Sequence, residues 1–151
     1  MDTYHNIMKK LPEDLVLLIN SFVDPETDYI RTQIKKIKVN PNGWAIGRNS
    51  IYRDFDTYDI KNIILAMSQI NNIIEPAKQY KLGSYGSKHV LSHYRQNKVS
   101  NGYINNGSFI VAMILLGYKY KNPTSLNLEF KAKYKKKYQH AIRCNQWELL
   151  V

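Results

Sequence analysis

Three groups of residues in this chain have types and spacings suited to chemistry. The largest lies in the C-terminal half, where Lys119, Lys121, Lys131, Lys133, Lys135, Lys136, Lys137 and Arg143 are interleaved with Tyr118, Tyr120, Tyr134 and Tyr138. Ammonium groups neutralise phosphates and release condensed counterions, while phenol rings stack on bases or bond phosphate oxygens. Lys88, His89 and Arg95 add cations from an upstream segment. Lysine outnumbers arginine 17 to 5, whereas bidentate reading of guanine favours the guanidinium fork. Such a surface is expected to hold a nucleic acid without reading its sequence. The competing arrangement is a solvated lysine face with its tyrosines turned into the core.

The second group pairs His89 with His93 and His140 with Cys144, each four residues apart. On helices each pair would share a face, and three imidazoles with one thiolate make a tetrahedral zinc set. Scattered surface histidines are the plainer reading, and no metal is expected. The third group is Asp54, Asp56 and Asp59. Paired carboxylates hold magnesium in nucleases, but an aspartate before an apolar-periodic run also caps a helix and favours its N-terminal dipole. Gly83-Ser84-Tyr85-Gly86 lacks the Gly-Lys-Ser/Thr ending of a nucleotide loop, although a helix start there offers Ser84 and free N–H groups to one phosphate. The sequence contains no metalloprotease helix and no nucleophile elbow. The expectation is a binding protein, not an enzyme, with no cofactor and no small-molecule substrate.

Charge is distributed unevenly. Lys, Asn, Ile and Tyr are abundant, and all have A/T-rich codons, so base composition alone could raise the lysine count. That bias would act evenly along the chain. Instead residues 1–75 carry 9 basic against 10 acidic side chains, and residues 76–151 carry 13 against 2. Between Pro76 and Arg143 the sole acid is Glu129, so the second half is poor in internal counter-charges and attracts an outside polyanion. An acidic protein is the alternative partner, in a protein-interaction or virion structural role.

The 151 residues suit one compact domain, 1–151, with a subdivision into a helical hairpin (1–39) and a basic helical region (56–151) as the alternative. A single cysteine forms no internal disulfide, no apolar run reaches the length of a membrane span, and the first ten residues lack the order of a secretory signal. These features lead to the expectation of an intracellular or virion protein, neither membrane-bound nor secreted.

To position the cations, the chain needs helices. The apolar spacing predicts a mainly α fold, a compact bundle of about five to six helices with an irregular central loop region. Leu11, Leu15, Leu18, Ile19 and Phe22 mark a first helix. Asp24-Pro25 starts a second, with Tyr29, Ile30, Gln33, Ile34 and Ile37 on one face. Asn40-Pro41-Asn42-Gly43 is a turn, and residues 44–55 read as loop with at most a short strand. Asp56 caps a third helix, which Pro76 ends. Ser84 caps a fourth, to about Gln96, with Lys88, His89 and Arg95 outside. A fifth starts near Asn106, is apolar all round, and stops at Gly117. That apolar helix is unsuited to a major groove, which argues against a helix-turn-helix reader. Residues 126–141 are expected to be helical, with an irregular basic arm as the alternative, and the apolar end Trp147 to Val151 is expected to dock on the body.

Two stretches resemble known segments. Leu11-Pro12-Glu13-Asp14-Leu15-Val16, continued by Ile19 and Phe22-Val23, resembles the opening helix of F-box-like segments, which implies recruitment of a protein partner. Ser84-Tyr85-Gly86-Ser87-Lys88-His89, with Tyr103-Ile104-Asn105-Asn106-Gly107-Ser108-Phe109-Ile110 and Leu116-Gly117-Tyr118, resembles a module of uncharacterised phage and large-DNA-virus proteins. The resemblance implies a viral source, and with it a role in genome packaging or in the virion.

Overall fold

The computed structural model describes residues 25–96 and 103–144. The segment 11–22, with its predicted helix and F-box-like pattern, and the apolar end 147–151 lie outside the described residues. Pro25 opens helix α1 (Pro25–Ile34), where its missing N–H costs nothing and Glu26 and Asp28 face the positive end of the helix dipole. Ile30 is buried, and Ile34 and Ile37 pack against the core. Tyr29 is exposed, contrary to its expected place on the apolar face.

The Pro41-Asn42 turn joins two short antiparallel strands, β1 (Val39–Asn40) and β2 (Gly43–Trp44). Gly43 has φ +142°, a conformation open to glycine. A 3-10 turn, Gly47–Ile51, follows. Helix α2 (Thr57–Ile73) then starts at Asp56 with a reciprocal capping box: the Asp56 carboxylate accepts from the Asp59 N–H, and Asp59 accepts from the Asp56 N–H. Its inner face is Ile60, Ile63, Ala66, Ile70 and Ile73. The helix stops at Ile73, earlier than Pro76 suggests, because Ile74 turns extended and begins strand β3 (Ile74–Pro76).

Strand β4 (Leu82–Gly83) leads into α3 (Ser84–Gln96), and Asn105 caps α4 (Asn106–Leu115) by accepting from the Ser108 N–H. Phe109, Ile110, Val111, Ala112 and Met113 on α4 have no exposed surface. Burying each large apolar side chain contributes about 1.5–3 kcal/mol, so α4 is the main organiser of the core. Gly117 ends it in the left-handed region (φ +89°), with Tyr118 N–H donating to Met113 C=O and Gly117 N–H to Ile114 C=O.

After α4 the first part of the predicted 126–141 helix is replaced by strands, and only its end is helical. Strands β5 (Tyr120–Lys121), β6 (Glu129–Phe130) and β7 (Ala132–Tyr134) precede a short helix α5 (Lys136–Arg143). The sheet β4-β6-β5 is antiparallel throughout, and β7 pairs antiparallel with β3. The reason is an alternation of period two: Leu128, Phe130 and Ala132 are buried, while Glu129, Lys131 and Lys133 are at least partly open. The described residues thus form five α-helices with small antiparallel sheets, a mixed architecture in place of an all-helical bundle. One hydrophobic cluster runs from Ile30 to Ala141, with Phe109 and Phe130 edge to face at its centre. No helix among the described residues is long and apolar enough to cross a membrane.

Candidate nucleic-acid interface

Strand register sets where the C-terminal cations go. Lys131 N–H donates to Lys119 C=O, and Ala77 N–H to Lys131 C=O, so the chain after β3, the exit from α4 and the link between β6 and β7 lie side by side. Their side chains Lys78, Lys119 and Lys131, with Tyr118, line one groove of about 590 Å3 that has no carboxylate among its lining residues. Tyr118 is half-buried, its hydroxyl donating to Ile74 C=O, and burial together with the Glu75 charge pushes its pKa up. Lys121 and Lys131 both approach the Tyr80 ring, at 4.8 and 5.9 Å from its centroid.

Cross-strand pairing also provides counter-charges that the linear sequence conceals. Lys133 stands opposite Glu75 in the β3–β7 register and its Nζ lies 3.7 Å from that carboxylate; Lys121 stands opposite Glu129, at 3.3 Å. Both pairs are about half exposed, the kind that contributes little to stability. Lys135 occupies the N-cap position of α5 without a side-chain cap, followed by Lys136 and Lys137, with no acid in the first turn. Three cations at the positive end of a helix dipole repel it and attract an anion. Arg143, in the last turn of α5, sits at the favourable end.

Two tyrosines expected to stack on bases are committed elsewhere. Tyr134 donates its hydroxyl to the buried Ser87 Oγ at 3.1 Å, and burial raises its pKa more than that bond lowers it. Tyr138 packs on the core, edge to face with Tyr94, and Lys137 Nζ lies 5.5 Å from its ring. Ser84 likewise does not await a phosphate: its N–H donates to Leu128 C=O and its Oγ accepts from the Leu128 N–H.

Helix α3 holds the largest departure from expectation. His89 is exposed as anticipated and meets Tyr85 edge on, its pKa lowered by desolvation and by the charges of Lys88 and His93. The Arg95 side chain lies outside the described part of the structure. Lys88, expected on the open face, is 5% exposed. Its Nζ sits 5.1 Å from the Tyr85 centroid and 4.9 Å from that of Tyr103, and desolvation lowers its pKa. It borders a second cavity, of about 520 Å3, shared with Tyr52, Arg53, Asn42 and Asn127.

A polar scaffold braces that cavity. The buried Asp59 carboxylate accepts from Arg53 Nη1 at 2.7 Å, from the Asp56 N–H at 3.0 Å and from Asn105 Nδ2 at 2.8 Å. Burial alone would raise the Asp59 pKa, but these donors outweigh it and hold the carboxyl below its ordinary range. The carboxylate is therefore spent on scaffolding, which removes it from the magnesium reading. Asn106 Nδ2 donates to Asn42 C=O and Asn127 Oδ1, and Gly107 N–H to Pro41 C=O, tying the 40–44 hairpin and the 125–128 loop to the start of α4.

No family model, curated protein or solved structure matches this chain.

The geometry therefore carries the assignment. Tyr85 and Lys88 from the 84–89 stretch, and Tyr103, Asn105 and Asn106 from the 103–110 stretch, line the same cavity. Sequence reasoning assigned no role to Arg53, whose partners Asp54, Asp56 and Asp59 follow within six residues, or to Tyr103 and Asn105, whose partners Lys88 and Asp59 lie far away in the chain; the helix-capping position of Asn105 also had a local signal. The proposed zinc set does not assemble. Cys144 Sγ is 3.8 Å from His140 Nδ1, but no three metal-ligand side chains gather among the described residues.

Proposed function

We propose that this protein binds nucleic acid without sequence preference, with the groove of Lys78, Lys119 and Lys131 as the principal phosphate track. The observation that carries the reading is the convergence of those three lysines on one groove free of carboxylate lining. Lys135, Lys136 and Lys137 at the head of α5 add positive field. Lysine suits a phosphate track because it is a point charge with rotatable donors, satisfied by any backbone. Base stacking falls to Tyr80, whose ring Lys121 and Lys131 approach, rather than to Tyr134 and Tyr138 or to Tyr120, which packs against Trp44 and Phe130. A protein of this kind serves packaging or coating of a genome, where tolerance of sequence is the requirement.

The test is fluorescence anisotropy of the full chain with unrelated duplexes and single strands across a salt series. Binding should weaken steeply and linearly on logarithmic axes, alike for each sequence. Absence of binding at low salt would overturn the proposal, as would a preference for one sequence that survives at high salt.

A further inference from the structure

The Lys88 side chain is largely buried, and among the described residues no carboxylate pairs with its ammonium. A buried cation ordinarily has a counter-charge, because lost hydration is far larger than what a pair of ring faces returns. The Tyr85 and Tyr103 rings hold its Nζ at the wall of the 520 Å3 cavity. A second cation lies on the same cavity. Arg53 directs Nη1 at Asp59, at Asp54 C=O and, at 3.6 Å, at the Asp56 carboxylate, which leaves Nη2 and Nε without a bond among the described residues. The cavity lining contains no carboxylate.

Size and lining narrow the ligand. A cavity of this volume lies in the range of small-molecule sites and far exceeds a lone phosphate. Its walls combine two cations, three phenol rings and several carboxamides. Cations suit a phosphate, rings suit the face of a base, and carboxamides suit base edges. We infer that the cavity binds a single nucleotide unit, its phosphate against Lys88 and Arg53 and its base among Tyr52, Tyr85 and Tyr103. This goes beyond the groove, which is lined by other residues, so either site can fail alone. The unit is a free nucleoside monophosphate or the terminal nucleotide of a strand; both present the same phosphomonoester.

The experiment is calorimetric titration of the full chain with thymidine monophosphate, thymidine and inorganic phosphate. The monophosphate should bind at least tenfold more tightly than either fragment. Lys88→Met, which keeps length and removes charge, should weaken it at least tenfold, while Lys61→Gln, an exposed α2 lysine outside both sites, should leave it unchanged. A wild-type chain that ignores the monophosphate, or a folded Lys88→Met chain that binds it equally well, overturns the inference. Should Lys88→Met not fold, Arg53→Gln replaces it, since Arg53 is half exposed: the variant should bind the monophosphate at least fivefold more weakly, and binding equal to wild type overturns the site. Single strands with a 5′-phosphate and a 5′-hydroxyl then identify the source. Tighter binding of the phosphorylated strand assigns the site to strand ends, and equal binding beside a positive monophosphate titration assigns it to free nucleotide. The salt dependence of 5′-hydroxyl duplex binding reports on the groove independently.

Discussion

Lys88 Nζ lies 4.9 Å from the centre of the Tyr103 ring, a contact that joins α3 to the segment leading into α4 and leaves the ammonium without an ionic partner among the described residues. Desolvation lowers its pKa from the ordinary lysine value of 10.5. Between the lowered native value and 10.5 the unfolded chain binds more protons, so this group's contribution to stability rises with pH; below the native value its full penalty is present. Lys88→Met should leave stability within about 1 kcal/mol of wild type or raise it, since replacing an unpaired buried charge by an apolar side chain is commonly neutral or stabilising. Denaturant melts at several alkaline pH values should show the variant lacking part of the wild-type rise. A variant less stable by more than about 2 kcal/mol would show that the cation braces the fold.

Asp59 behaves in the opposite sense. Its native pKa is lowered overall, despite burial, by the donors Arg53, Asp56 N–H and Asn105. The stability it supplies is present above the unfolded carboxylate pKa and is lost as pH falls through the lower native value. Asp59→Ala should cost about 1–3 kcal/mol at neutral pH, since it strands buried donors, and should flatten the acid limb of stability against pH. Arg53→Gln should cost less than Asp59→Ala, because Arg53 is half exposed. Equal stability of wild type and Asp59→Ala at pH 7 would contradict this assignment.

Gly107 shows how a helix preference is overruled. Alanine ordinarily stabilises a helix relative to glycine by up to about 1 kcal/mol. Here a Cβ at 107 would collide with Asn40 C=O and with Pro41. Gly107→Ala should destabilise by about 3 kcal/mol or more, because backbone atoms rather than a flexible side chain block the methyl. A melting temperature equal to wild type would mean that the hairpin does not lie on α4.

Tyr134→Phe separates the core role of this ring from a binding role. Removing the hydroxyl takes one bond from Ser87 and should cost about 1 kcal/mol. Nucleic-acid affinity should stay within twofold of wild type. A large loss of affinity without loss of stability would return Tyr134 to the interface.

Replacing Lys78, Lys119 and Lys131 together by Gln should lower the slope of log K against log salt by up to about 2–3 for duplex DNA, close to 0.9 for each phosphate contact removed. Lys121→Gln and Lys133→Gln should have smaller effects, because Glu129 and Glu75 already share their charge. An unchanged slope in the triple variant would place the contact surface elsewhere.

The sequence by itself determined what depends on neighbours a few residues away. The capping of α2 by Asp56, the start of α1 at Pro25, the buried α4 and its stop at Gly117 all follow from side chains acting on backbone groups within one turn. The excess of cations after residue 76 was equally legible, being a count. The segment from Leu128 to Tyr134 was misread as helix because its lysines mask a short alternation, and its extended form depends on partner strands β3, β4 and β5. Only the tertiary structure decided which cations have partners. Glu75 meets Lys133 across 58 positions and Asp59 meets Asn105 across 46, while Lys88, placed outside by helix periodicity, is enclosed by Tyr85 from its own helix and Tyr103 from another segment. Periodicity describes one helix against a uniform surround, whereas burial of a charge depends on what the rest of the chain lays over it.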